Sequence, residues 1–178
     1  MSVELSTARK RRAPQARPRT EDWPEFLDEN PAHLIRRLQQ IAVAVFLEEM
    51  AEFDITPVQL CALMSIAQNP GVDQFRLSQM IGYDKSTVAG VVERLQAKGL
   101  IRRTMSARDR RARELSITPD GERIVRDSVP GSARITERLF DGLSLAERPL
   151  FHDMLLRIVG KNNPISRMPV NKMLRGKE

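Results

Sequence analysis

At three points in this chain a capping residue and a proline stand directly before a run with helical apolar spacing: Asn30-Pro31, Thr56-Pro57 and Thr118-Pro119. Asn and Thr side chains accept hydrogen bonds from the unpaired N–H groups of a helix start. Proline, with its fixed φ and no N–H of its own, suits the first helical position. Each pair therefore predicts a helix beginning there, and together they commit most of the chain to helix. What lies between the second and third starts then decides what kind of helical protein this is.

After Pro31, Leu34, Leu38, Ile41 and Val45 recur at helical spacing, with Ile35, Ala42 and Phe46 widening the stripe. The pattern predicts a helix to about Phe53. Its apolar face is broad for a lone surface helix, which points to burial against a partner subunit. After Pro57, Leu60, Leu63, Met64 and Ala67 predict a second helix over 57–68, stopped by Asn69-Pro70-Gly71. A short extended piece follows at 72–74. Leu77, Met80 and Ile81 mark a short third helix ending near Gly82. Asp84 is placed to cap a fourth, with Val88, Val91, Val92 and Leu95 on one face and Gly99 closing it. Two short helices joined by a tight Gly82-Tyr83-Asp84 corner predict a helix-turn-helix.

Residues 100–105 (LIRRTM) and 113–117 (RELSI) read as two antiparallel strands, with SARDRRA between them as the tip. A two-stranded projection beside a helix-turn-helix is a wing. Beyond Thr118, Gly121, Ile124 and Val125 continue a helix that Pro130-Gly131 kinks or interrupts, and Ile135, Leu139 and Phe140 resume it. Ser144 is placed to cap a last helix with Pro149 early in it, Leu150, Met154, Leu155, Ile158 and Val159 on its face, and Gly160 at its end. The predicted fold class is mainly α with a small β-wing. It is a winged helix-turn-helix whose N- and C-terminal helices form a dimerisation domain. By segment, 1–25 reads as a flexible basic arm and 56–118 as the DNA-binding domain. Segments 31–55 and 119–160 read as the helical dimerisation region, and 161–178 as a basic tail.

Charge narrows the partners. The chain carries a net +6, and its first twenty residues hold six basic side chains against one acidic. Such a balance favours an acidic partner. Aromatic residues are 4% of the total, so the core must be aliphatic. The single cysteine, Cys61, rules out an intrachain disulfide, and with no signal peptide at the start it suits a reducing cytoplasm. No apolar run approaches the ~18 residues of a membrane span. There is no phosphate loop, no nucleophile–base arrangement and no zinc signature around the two His and one Cys. The sequence therefore predicts no enzyme, no catalytic residues, no metal and no cofactor.

On the 84–98 helix, the side away from the apolar face shows small and polar residues. Lys85, Ser86, Thr87, Gly90 and Arg94 are the candidate contacts to a major groove, which accepts a helix of this size. Ser86 and Thr87 can bond bases or phosphates; Lys85 and Arg94 suit phosphates. In the wing, Arg108, Asp109, Arg110, Arg111 and Arg113 form the candidate group. Asp109 is placed to clamp Arg111, leaving Arg110 to project from the tip toward a minor groove, where negative potential is concentrated. Arg102 and Arg103 alternate across a strand, so they take different roles. Three other uses of the same basic surface stand beside this one: protein–protein contact, nonspecific nucleoid-type DNA binding, and an anionic membrane surface.

These residues resemble the MarR family of winged helix-turn-helix regulators. The resemblance rests first on Asp109, Arg111 and then Ile117-Thr118 leading into a helix. It rests also on Asp84-Lys85-Ser86-Thr87 with Val92-Glu93-Arg94-Leu95 and Lys98-Gly99-Leu100-Ile101, and on Thr56-Pro57-Val58-Gln59. The match covers about 32–160, with Ile117 where Leu is usual. Leu34 to Glu48, with Asn69 to Gln74, is further similar to regulators of aromatic-acid, including nicotinate-type, catabolism. The resemblance implies a homodimer that reads a palindromic double-stranded DNA operator as a repressor. It also implies release by a small anionic aromatic effector, bound between the dimer helices and the DNA-binding lobe. His33, Arg37 and Gln40 on the first helix, and Cys61 and Met64 on the second, are the candidate ligand residues. The helix around Cys61 is expected to be mostly buried, which would make that thiol an inert core residue.

Overall fold

The structure is a computed structural model, and it describes residues 29–105 and 113–170. The expected N-terminal arm, the wing tip with Arg108, Asp109, Arg110 and Arg111, and the end of the tail lie outside the described residues. In chain order the elements are α1 (Pro31–Glu49), α2 (Pro57–Gln68), β1 (Val72–Asp73), α3 (Gln74–Ile81) and α4 (Lys85–Ala97). They continue as β2 (Ile101–Met105), β3 (Arg113–Ile117), α5 (Pro119–Asp127), α6 (Val129–Leu139) and α7 (Glu147–Asn162). The chain divides at Arg37 into a short N-terminal unit and a body formed by the rest.

All three cap–proline pairs start helices. Asn30 Oδ1 accepts from Ala32 N at 2.9 Å. At Thr56 the cap is reciprocal: Gln59 N donates to Thr56 Oγ1 at 3.4 Å, and Thr56 N donates to Gln59 Oε1 at 3.0 Å. Thr118 does more than cap. Its Oγ1 accepts from Gly121 N at 3.2 Å and donates to Gly99 O at 2.7 Å, and its N–H bonds Leu100 O at 3.0 Å. It thus ties the start of α5 to the turn between α4 and β2. That approach leaves no room for a side chain at Gly121, where a Cβ would lie 2.3 Å from Leu100 O.

The structure departs from the sequence reading at several points and decides between its alternatives at another. α1 stops at Glu49, short of Phe53; a 3-10 turn, Ala51–Phe53, follows, and Asp54 adopts a left-handed φ of 46°. Lys98 fixes that residue, donating from Nζ to its carbonyl and, at 2.7 Å, to its Oδ2. Val72–Asp73 is a true strand, so the sheet has three strands in the order β1-β3-β2, all antiparallel; Val72 faces Leu115 and Ile101 faces Ile117. Of the two readings at Pro130-Gly131, the interruption holds and the kink does not: Ser128 ends α5 and precedes α6. Finally, α7 passes through Gly160 to Asn162.

The core sits within one lobe. Leu63 and Ile66 of α2, Leu77 of α3, Val88, Val92 and Leu95 of α4, and Leu115 of β3 are buried together. α2 is its hub, packing on α3, α4, α5 and β3. Met50, at the end of α1, joins this cluster and meets α6 at Gly131, where a Cβ would lie 3.1 Å from its Cε. Charge reinforces the α1–α6 junction. Glu49 pairs with Arg134 at 2.6 Å and with Arg138 at 2.9 Å, and Glu48 pairs with Arg138 at 2.7 Å. Hydrogen bonds from Arg134, then Arg138, hold the Glu49 carboxyl below its ordinary value.

Candidate nucleic-acid interface and adjoining cleft

The helix-turn-helix is built by caps. Asp73 Oδ1 accepts from Arg76 N at 2.9 Å and starts α3. Gly82, at φ 71°, ends α3 in the left-handed conformation that glycine adopts without steric cost. Asp84 then starts α4. Its Oδ1 accepts from Thr87 N at 2.9 Å and from the Ser86 hydroxyl, and its Oδ2 accepts from the Thr87 hydroxyl at 2.7 Å. These bonds, that from Ser86 foremost, hold the Asp84 carboxyl far below its ordinary 3.8. Both hydroxyls proposed as DNA contacts thus donate back into the cap. Each keeps acceptor lone pairs, and each can exchange its donor bond for one to a base or phosphate.

The exposed side of α4 is otherwise open. Lys85, Ser86, Thr87 and Arg94 are exposed, and a Cβ placed on Gly90 would meet nothing within 4 Å. Lys85 leans toward α3, with its Nζ 4.6 Å from the centre of the half-exposed Phe75 ring. A cation over an aromatic face is held there weakly, by about 0.5–1 kcal/mol at exposed sites. Beside α4 the wing strands bring up Arg102, exposed on β2, and Arg113, exposed on β3. Arg103 takes a different role from Arg102, as strand alternation requires. It is partly buried, and its Nε has no hydrogen-bond partner among the described residues.

Arg94 lies at the far end of the same exposed face, one turn beyond Gly90 and two turns beyond Thr87. There it borders a cleft of about 440 Å³ with Ala97 and Lys98 at the end of α4. Leu47, Met50 and Ile55, from the α1–α2 junction, supply its apolar wall. No local pattern marks this cleft in the sequence, because its walls come from segments some forty residues apart.

The candidate ligand residues fall in both units. His33, half-buried, and Arg37, exposed, lie in the N-terminal unit; Gln40, Cys61 and Met64 are exposed in the body and do not line the cleft. The expectation for Cys61 is corrected: it is exposed, not a core thiol. α2 commits Leu60, Leu63 and Ile66 to the core, and Cys61 and Met64 fall on the other side. Protein packed about the sulfur still raises the thiol above its ordinary value of 9.0, which favours its protonated form. Among the described residues no group of His, Cys, Asp or Glu could hold a metal ion, and no helix is long and apolar enough to cross a membrane.

A capped helix-turn-helix with a three-stranded wing and an open, basic-edged fourth helix defines a winged-helix protein of the DNA-reading kind. The comparisons agree and go further. Residues 53–112 match the MarR family model. The transcriptional regulator HosA of Escherichia coli O157:H7 is 30% identical over 127 residues, covering 71% of this chain and 93% of HosA. The protein belongs to the MarR family of transcriptional regulators. Among solved structures, BpsR of Bordetella bronchiseptica, whose DNA binding is regulated by 6-hydroxynicotinic acid, is similar at a TM-score of 0.70. It is 31% identical, with 76% of this chain and 97% of that one covered. The transcriptional repressor CouR, bound to a 23-mer DNA duplex, is similar at a TM-score of 0.70. It is 28% identical, with 75% and 94% covered.

Proposed function

We propose that this regulator is a repressor that binds a palindromic operator as a homodimer and is released by a small aromatic carboxylate. The observation that carries the DNA-binding part is the open face of α4. Lys85, Ser86, Thr87 and Gly90 pack against no core there, and exposed arginines flank them on the wing strands. CouR, of the same fold, holds a duplex. The homodimer is supported by apolar side chains that one chain leaves in water: Ile41 and Leu47 on α1, and Leu150, Met154, Ile158 and Val159 on α7. Selection of bound duplexes from a random library at about 0.15 M salt tests the reading. Recovery of a two-fold site with half-site centres about ten base pairs apart, or a multiple of that, is expected. Recovery of no sequence above background overturns it.

The effector reading is supported by BpsR and its hydroxynicotinic acid, and by the cleft. An apolar wall edged by Arg94 and by a Lys98–Asp54 ion pair suits an aromatic ring bearing a carboxylate, and the volume is in the range of small-molecule sites, roughly 300–1,000 Å³. Lys98 is engaged by Asp54, so Arg94 is the cation assigned to the carboxylate. The set of His33, Arg37, Gln40, Cys61 and Met64 is the other candidate. Arg94→Met separates them: it abolishes release by hydroxylated aromatic acids if the cleft is the site, and leaves release intact if the other set binds.

A further inference from the structure

The last helix is held at both ends. Near its start, the Phe151 ring of α7 packs edge-on against Phe140 at the end of α6, with ring centroids 5.7 Å apart, and Arg148 pairs with Glu137 of α6. Past its end, the chain turns back in a strap, 163–170. Asn163 closes a clasp on Val170: its Nδ2 donates to Val170 O at 3.0 Å, and Val170 N donates to its Oδ1 at 2.8 Å. Ser166 Oγ accepts from Met168 N at 3.2 Å within the loop so formed. Pro164 and Pro169 lie just inside the two ends of the clasp and restrict its backbone. The clasp sets the Val170 side chain and the Met168 carbonyl against Gly82, where a Cβ would lie 2.9 Å from Val170 Cγ2 and 3.7 Å from Met168 O. Gly82 is the corner of the helix-turn-helix, two residues before the cap of α4. The strap therefore ties the far end of α7, ~18 Å along the helix from Phe151, to the start of the reading helix.

Without the strap, α7 reaches α4 through α6, α5 and the lobe. That route crosses the joint at Ser128, where one helix stops and the next begins. A single jointed route leaves α7 free to swing against the lobe. The strap adds a second, short route that meets the corner before α4 directly, and a closed frame does not swing about one joint. The exposed Leu150, Met154, Ile158 and Val159 of α7 are the side chains assigned above to the dimer. In a two-fold pair joined there, the separation of the two α4 helices is only as firm as the hold of each chain on its own α4 relative to its own α7. DNA measures that separation finely. One base pair added between half-sites moves one of them ~3.4 Å along the duplex and turns it ~35° about the axis.

We propose that the strap 163–170 is a brace that fixes the reading helix against α7 and so determines which half-site spacing the dimer accepts. This rests on the reading of the protein as a homodimer whose α4 helices read a palindrome. The test uses the full chain and the two-fold duplex that it selects, remade with one base pair added or removed between the half-sites. The natural chain, Val170→Ser, Asn163→Ala and Val170→Ile are compared on each duplex. A change of one base pair misplaces the base contacts of one half, so the natural chain should lose affinity by about tenfold or more. Val170→Ser weakens the contact with Gly82 and Asn163→Ala opens the clasp. Their lobes can follow the shifted half-site, so they should lose less than about threefold. Val170→Ile, which keeps an apolar side chain at Gly82, should retain the natural preference. Should Asn163→Ala fail to fold by thermal melting, Val170→Ser decides the outcome. If no two-fold duplex is selected, the palindrome reading itself fails, and the brace with it. A natural chain that selects such a duplex but binds every spacing alike overturns the brace alone, as do folded loosened variants that keep its preference. Equal weakening of those variants on every duplex makes the strap a general support of the lobe and also overturns the brace.

Discussion

The lobe around α2 and the last helix handle their apolar residues in opposite ways. In the lobe, Leu63, Ile66, Leu77, Val88, Val92 and Leu95 are fully out of water within a single chain. In α7 no residue is buried at all, and Leu150, Met154, Ile158 and Val159 are about half exposed or more. Burying a large aliphatic side chain is worth about 1.5–3 kcal/mol, so the first region has its own driving force and the second does not. Among the described residues the lobe completes its own core, while α7 leaves its apolar side chains in water.

That contrast breaks first at its tightest point. Gly121→Val should unfold the lobe, because even the first atom added would lie 2.3 Å from Leu100 O and 2.7 Å from Ile117 Cγ1. Overpacking of this kind costs about 3 kcal/mol or more. Urea unfolding would show it, and wild-type stability would mean that α5 can shift away from the β2 turn at little cost. Ile158→Asp on α7 should do the reverse. It should leave the folded lobe intact by circular dichroism while halving the mass seen by sedimentation, and an unchanged mass would remove α7 from the interface.

Thr118→Ala should cost about 1–2 kcal/mol, because it removes a cap and leaves Gly99 O without its donor. A loss of a few tenths would mean that water replaces the hydroxyl. The α1–α6 junction responds to acid in a definite direction. The Glu49 pKa is lowered on folding, so its contribution is fully present above the ordinary value of 4.5 and is lost as pH falls through the lowered one. Glu49→Gln should therefore be less stable than the natural chain at neutral pH, with the two curves converging below about pH 4.5. A constant gap down to pH 3 would show that Arg134 and Arg138 do not perturb this carboxyl.

The same contrast explains what was legible in the sequence. Caps are local, and Thr56, Asp84 and Thr118 could be read because the partner of each lies within three residues. Apolar periodicity located α2 and α4, whose faces pack within the chain. It could not say on which side of α2 Cys61 falls, because an apolar helix does not reveal which of its apolar faces the same chain covers. β1 is two residues long and exists through its pairing with Leu115 and Glu114, a partner that no local pattern announces. The cleft at Arg94 and the approach of Val170 to Gly82 are likewise long-range. The spacing from Gly82 to Val170 carries no signal until the chain is folded. The sequence could name the polar residues that α4 exposes, but not that Ser86 and Thr87 turn back onto Asp84.

The smallest expected effect sharpens the comparison most, because it separates folding from function at one atom. Gly90 lies in the middle of α4, where glycine costs a helix about 0.5–1 kcal/mol relative to alanine. Nothing lies within 4 Å of where a Cβ would stand. On folding grounds alone, Gly90→Ala should raise stability by up to about 1 kcal/mol. Gly90 also sits near the centre of the open face, in line with Ser86 one turn earlier. If that face enters a major groove, an added methyl group meets the DNA, and operator affinity should fall while the melting temperature rises. A variant that is more stable and binds equally well would show that α4 does not approach DNA closely through Gly90. Lys85 on one edge of the helix and the arginines of the wing strands would then carry the contact.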